Sequence, residues 1–488
     1  LYFRSLASHV KKHHISILTY LLIAVTFLKI ILVVFIDPFM GYANSYDFTR
    51  QSSCIGIWQS YSDKPKTEAN RLYAVNTLIF DGDQRKQACL KSIDNAFPWI
   101  TTVFHTFGDK IDFREIAFWK VAFLSILLSS LLFIIRGEIN RLILAWLFFL
   151  VFSDLSNLLY INTLYADFSA LLGLFFALFS IIYLISVKRT ELSLSLILFT
   201  LCSLIWLGLS KQQYMPLAVL LGLIGSITLF LKGYKKSCIG ILLLSLGLPL
   251  AYDQLNQPNS ENMQSTSLVN KTDTFLQAVL AAATNKKQAI EKLRLPQSCL
   301  KGIGISWYGI ENPDHHPCPE VESLNRFQII DLFITDPRIF FIPMSKGIAG
   351  TYPYYPTYLG HLEFQNHNFQ YSNQYELLKT SSLSYVFSKT IPQSVLSLFT
   401  LFLITASLIV CLLLVKSTDQ NSYLKLFISI NSLGSFVLFY SVFSSVFGDG
   451  YIELQRHGIG FLLGMNFSLT GFIFLLPCIN YKKLLISK

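Results

Sequence analysis

The stretch ISILTYLLIAVTFLKIILVVFI at 15–36, followed at once by DPFMGYANSYDFTR at 37–50, decides how the rest of the chain is read. The first part is long and apolar enough to cross a bilayer core as one helix, which takes roughly 20 residues. It is too long for the core of a secretion signal and has no small-residue cleavage site, so it is expected to stay as an anchor. The second part opens on Asp37-Pro38, a pair that disfavours continuing a helix. It then places one carboxylate, Asp47, a few residues beyond the apolar run.

Nine further apolar runs lie near 116–135, 142–160, 168–187, 192–209, 216–231, 237–253, 391–415, 424–446 and 459–480. The 488 residues are 52% hydrophobic and only 14% charged, against about 25% charged in soluble domains. The expected fold class is therefore an all-α polytopic membrane protein with about ten transmembrane helices. A net charge of +10 is read as topology and not as a nucleic-acid surface, because the cations flank the runs. Lys11/Lys12, Arg136/Arg141, Lys188/Arg189, Lys232/Lys235/Lys236, Lys416/Lys425 and Lys482/Lys483 alternate with loops holding only Lys211 or Arg456. The expectation from this alternation is an integral membrane protein with both termini cytoplasmic.

This assigns 1–14 to a cytoplasmic N-terminus, 15–36 to the first helix and 37–115 to a first outer loop. Helices two to seven occupy 116–255, a large outer loop 256–390, helices eight to ten 391–480, and a cytoplasmic tail 481–488. Cys54 and Cys89 lie in the first loop and Cys299 and Cys318 in the second. An oxidising compartment admits one disulfide per loop, with free thiols as the alternative. The apolar stretch 327–352 is broken by Asp331, Asp336, Pro337, Arg338 and Pro343, which reads as one or two interfacial helices. The aromatic and amide-rich YPYYPTYLGHLEFQNHNFQYSNQY at 352–375 suits either a sugar-facing surface or an interfacial belt. Asp81-Gly82-Asp83 reads as a turn, and His315-His316-Pro317-Cys318 as loop chemistry, since no second ligand pair follows at zinc spacing. No P-loop, Rossmann, G-x-S-x-G or HExxH motif occurs, so ATP-driven transport has no support.

Asp47 is the candidate general base. A carboxylate near low-dielectric walls, with Arg50 three residues on, can stay ionised and accept a proton from an attacking hydroxyl. The bland reading is a loop Asp paired with Arg50 for structure. Three other outer-face stations carry polar groups between apolar helices: Asn162-Thr163-Leu164-Tyr165-Ala166-Asp167, Ser210-Lys211-Gln212-Gln213-Tyr214, and the turn 448–457 with Glu453, Arg456 and His457. Lys211, Arg456 and His457 suit a phosphate. Asp167 or Glu453 suits a sugar hydroxyl or a metal. Each of these is equally readable as a helix-end anchor.

In this arrangement the chain resembles the GT-C superfamily of membrane glycosyltransferases, whose shared feature is a catalytic Asp in the first outer loop. GYANSYDFTR resembles a "GxANxxDFxR" segment of a bacterial hexose-transferase-like group. Similar to that group are Tyr165 with Asp167 at helix four, Ser210-Lys211 before helix six, the LRLP of 293–296, and Glu453-Leu454-Gln455-Arg456-His457 before the last helix. The group more often has Glu where Asp167 stands, and Ser45 leaves no DxD at Asp47. The resemblance implies a polyprenyl-phosphate-sugar donor, a glycan or lipid-linked acceptor, and no nucleotide at the site. Asp47 would be catalytic, with Asn44, Arg50, Tyr165, Asp167, Lys211, Gln212, Glu453, Arg456 and His457 binding substrate; a divalent cation is left open. Two other readings compete. An O-antigen polymerase or ligase would use Arg326, Arg338 and the histidines of the second loop. A transporter would use intramembrane Lys29 and Asp154.

Overall fold

The structure, a computed structural model, describes residues 2–42, 46–59, 74, 76–82, 84, 89–256, 267–310, 312, 315–356, 373–416, 422–452 and 454–486. Its helices are α1 (Tyr2–Val34), α2 (Tyr46–Ile55), α3 (Ala96–Thr102), α4 (Phe113–Ile134), α5 (Glu138–Phe152), α6 (Asp167–Ser186), α7 (Leu194–Ser210), α8 (Met215–Leu231) and α9 (Lys235–Asn256). After a π-helical turn at Thr272–Leu280 come α10 (Gln328–Thr335), α11 (Arg338–Gly350), α12 (Leu383–Thr390), α13 (Gln393–Lys416), α14 (Ser422–Asp449) and α15 (Ile459–Ile486). Each of the ten apolar runs is helical over most of its length, which makes the chain an integral, multi-pass, all-α membrane protein. Among the described residues six helices are long and apolar enough to cross a bilayer, or seven if α12 and α13 form one broken span. Shorter apolar helices include α7 with 17 residues and α5 with 15.

One expected span ends early. The run 142–160 is helical only to Phe152, because Asp154 turns the chain. Its carboxylate accepts from the Ser156 amide (3.0 Å) and hydroxyl (2.7 Å) and caps a new helical turn, Leu155–Leu158. It also accepts from the Ser384 amide (2.7 Å) and hydroxyl (2.6 Å) of α12. Lys29 of α1 donates to the Ser382 hydroxyl (3.1 Å) and the Ser381 carbonyl (3.3 Å). Lys29 and Asp154 thus pin α12 to α1 and to the end of α5.

The α4 helix begins with a capping box, the Asp112 carboxylate accepting from the Arg114 amide while Glu115 reaches back. Arg114 also pairs with Asp37 beyond α1, so the two ends of the first long inter-helix segment are tied together. Within that segment three short antiparallel strands, Ile57–Gln59, Thr77–Phe80 and Lys110–Asp112, form a sheet in that order. The register pairs Ile57 with Phe80 and Leu78 with Ile111. Cys54 and Cys89 are disulfide-bonded, as are Cys299 and Cys318. The stretch 327–352 contains two helices, α10 and α11, broken at Asp336-Pro337.

At the centre of the bundle lies α6, almost wholly buried. The α14 and α15 pair packs so closely that a Cβ at Gly464 would come 2.5 Å from the Leu438 amide nitrogen, and one at Gly434 would come 2.5 Å from that of Ser468. Such contact between small residues is what holds helices together where lipid removes the hydrophobic drive. Asn431 donates to the Ser468 carbonyl (2.8 Å) across the same seam. Gly464→Leu is expected to lower the unfolding temperature in detergent by many degrees, overpacking costing roughly 1–3 kcal/mol or more. Gly240→Leu, where nothing lies within 4 Å, should leave it unchanged; equal behaviour would show that the seam tolerates side chains.

Candidate functional site

The site grows from NTLYADFS, 162–169. Thr163 turns this chain by accepting the Tyr165 amide on its own hydroxyl (2.8 Å). The turn delivers Asp167 to the first residue of α6, where the positive end of the helix dipole favours a carboxylate. Ala166 supplies no side-chain cap. Asp167 is buried, with 1% exposure, and charges come to it from two distant segments. Lys211, just after α7, places its ammonium 2.8 Å from Oδ1. Arg456, just before α15, lies 3.4 Å from Oδ2 through both Nε and Nη2, and its guanidinium stacks 4.4 Å over the Tyr165 ring. Arg456 is likewise buried, whereas the Lys211 side chain keeps 18% exposure.

The segment leading to Asp47 is anchored on the same loop. Asn162 donates to the Met40 carbonyl (2.7 Å), and a Cβ at Gly41 would sit 2.5 Å from the Asn162 carbonyl oxygen, so only glycine fits there. Tyr42 donates to the Ser156 carbonyl (2.9 Å) and packs on Tyr160 at 4.6 Å, and Tyr160 in turn meets Tyr165 at 6.5 Å. The α2 helix, carrying Asp47 and Arg50 in its backbone, starts four residues after Tyr42. Three of the four polar stations read from the sequence therefore meet around Asp167, and the chain entering the fourth is fixed beside them.

This chain belongs to the YfdI N-terminal transmembrane domain family, which matches residues 4–488. No curated protein and no solved structure matches it. The family match agrees with the helical architecture, and it leaves the chemistry to be argued from the side chains.

Asn44, Glu453 and the side chains of Asp47 and His457 lie outside the described residues. Arg50 is half-buried in α2, its carbonyl accepting from the Leu90 amide (3.1 Å) beside the Cys54–Cys89 bridge. Gln212 is exposed, and its neighbour Gln213 makes the cross-links, donating to Ser445 (3.0 Å) and accepting from the Tyr440 hydroxyl (2.7 Å). Tyr214 accepts the Gly460 amide (3.3 Å), fastening the Lys211 turn to the start of α15. Among the described residues the cluster of metal-ligand types is Cys299, Cys318 and Glu320, and its two sulfurs are spent on each other. His316 is bonded within its loop to Thr272 (2.9 Å) and to the Cys318 amide (3.0 Å).

The structure adds a buried ion pair that the sequence reading passed over. Lys120 of α4, fully buried, stands 3.2 Å from Asp94 and donates to the Thr163 carbonyl (2.7 Å). Asp94 also accepts from Ser169 (2.7 Å). Burial pushes the Asp94 carboxyl above the usual carboxylate range, and Lys120 opposes that shift. The pair thus grips the chain on both sides of Asp167. A lone Lys inside the apolar run 116–135 was the available signal. Asp273, in the π-helical turn, is a second addition. It accepts from the Trp307 amide (2.8 Å), its other oxygen has no partner among the described residues, and burial raises its carboxyl to about 6.

Lys120→Met leaves Asp94 buried without its cation and is expected to cost on the order of 3–5 kcal/mol, read as a lowered unfolding temperature in detergent. The double variant Lys120→Met with Asp94→Asn should recover much of that loss. Additive losses in the double variant would show that the two charges are not coupled.

Proposed function

We propose that this chain is a GT-C-type glycosyltransferase, moving a sugar from a polyprenyl-phosphate donor to a glycan or lipid-linked acceptor at the outer face of the membrane. The observation that carries the reading is the convergence at the buried start of α6. Lys211 and Arg456 are held there by Asp167, beside the anchored segment that leads into Asp47. Two cations at a helix N-terminus form a site for a phosphate. Asp167 acts in this reading as the group that aims both cations, a role that Asp fills at these distances without a longer Glu.

In the proposed reaction Asp47 takes the proton of the acceptor hydroxyl, whose oxygen forms the new bond to the sugar anomeric carbon. The bond from that carbon to the phosphate oxygen breaks, and the polyprenyl phosphate leaves with the electron pair. Lys211 and Arg456 oppose the charge that builds on it, and the helix dipole of α6 adds to them. The lipid tail stays in the bilayer, so only the head of the donor needs a polar site. Of the second-loop arginines that a polymerase or ligase would use, Arg326 has one donor bonded to the Gly448 carbonyl (2.8 Å).

The test is transfer by purified protein in lipid nanodiscs, using a panel of radiolabelled polyprenyl-phosphate sugars. Wild-type protein should transfer from at least one donor. Asp47→Asn should abolish transfer with the unfolding temperature kept. Arg456→Lys, which retains charge but loses the planar fork, should raise the apparent donor KM about tenfold, which is ~1.4 kcal/mol. Turnover surviving in Asp47→Asn would remove Asp47 from the reaction, and an inert wild type across the panel would overturn the assignment.

A further inference from the structure

Asp273 touches the chain that leads from α14 to Arg456. It lies in the π-helical turn Thr272–Leu280, which packs on α11 and α14, a geometry that is rare and recurs at functional sites. Gly450, directly after α14, lies so close that a Cβ on it would come 2.7 Å from the Asp273 carbonyl oxygen and 2.8 Å from the Asp273 Cβ. Asp273 itself has 0% exposure.

One oxygen of its carboxyl accepts from the Trp307 amide (2.8 Å), and the other has no partner among the described residues. Such a place favours the neutral acid over the ion. Burial pushes the carboxyl up to about 6, and Asp449, the last residue of α14, adds to the shift as a like charge. Arg326, which donates to the Gly448 carbonyl, is a cation that Asp449 attracts. Lys271 donates to the Glu322 carbonyl, and His316 is bonded to Thr272 and to the Cys318 amide. The charged side chains of α11, of the Lys286–Lys292 helix and of the turn 319–323, which all pack on the same π-helical segment, are exposed.

We propose that Asp273 is a pH-sensitive latch on the turn 448–452: protonated, it lies neutral under Gly450 and seats the turn, and ionised, it repels Asp449 and loosens the turn from the π-helical segment. The proton passes to water when the latch opens. Because the same chain presents Arg456 four residues beyond the turn, acidification sets that guanidinium more firmly. The latch stands whether or not the proposed reaction does. Folding takes up a proton between the ordinary carboxylate value of 3.8 and about 6, so this group's contribution to stability is full below about 4 and is lost as pH rises through about 6.

The experiment compares wild-type protein with Asp273→Asn, which keeps the shape and the acceptor for Trp307 but never ionises, by thermal unfolding in detergent from about pH 4 to about pH 7.5. Every other titrating group, His316 included, is common to both, so the difference between them isolates Asp273. The two should unfold together at the acid end, and wild type should fall several degrees below the variant at the neutral end. Amide exchange in peptides covering 448–452, corrected for the intrinsic rate, should quicken several-fold across that range in wild type and stay level in Asp273→Asn. Asp449→Asn removes the like charge and should move the wild-type midpoint to lower pH. A stability difference that does not change with pH, a quickening of exchange that Asp273→Asn retains, or a midpoint that Asp449→Asn leaves in place would overturn the proposal.

Discussion

A carboxylate buried in a helical bundle inside a bilayer must bring its counter-charges with it, and Asp167 is where this molecule meets that demand. It begins a helix that is nearly all buried, so water cannot solvate it. The helix dipole supplies part of the compensation, and Lys211 and Arg456 add to it. Because one cation follows α7 and the other precedes α15, the ends of three helices must come to one point. Their relative heights follow from that, since leaving such a charge unpaired costs several kcal/mol.

A second pair fixes the loop that delivers Asp167. Lys120 holds the Thr163 carbonyl four residues before it, and Asp94 holds the Ser169 hydroxyl two residues after it. The Lys120 ammonium also faces Phe168 at 5.3 Å, a cation–π contact that helps a charge survive without water. On the opposite side Asn162 fastens the chain between α1 and α2. Each anchor comes from a different part of the sequence, so the position of Asp167 is determined by the whole fold and not by its local turn.

Much of this was legible in the residues. Hydropathy located all ten helical runs, and isolated polar groups between them marked Tyr165, Asp167, Lys211 and Arg456 as a set. The pairing of cysteines within each loop was also within reach, although spacing alone left free thiols open. What stayed hidden has physical reasons. The end of α5 at Phe152 rests on Asp154, which caps the next turn through Ser156 and is also held by Ser384 more than two hundred residues away, and no local pattern announces the second contact. The small sheet uses strands of three or four residues, too short to show alternation. Lys120 was visible as a charge in an apolar run, but its partner Asp94 lies in a loop whose placement only tertiary packing decides.

Ionisable groups inside the bundle fall into two kinds, and partner chemistry separates them. Asp154 has its oxygens filled by serine hydroxyls and amides, and Lys29 donates to a serine and a carbonyl; these are neutral groups that leave each charge locked into structure. Lys120 and Asp94 oppose each other and are shut off from solvent altogether. The Asp167 cluster differs because one of its cations, Lys211, still reaches the surface while the carboxylate and Arg456 do not. Taking both partners of a pair out of water costs desolvation that their attraction need not repay, so the exposed edge of Lys211 lightens that cost while Asp167 still fixes it from behind. In the function proposed above, that edge is the face a phosphate arriving from the membrane surface would meet.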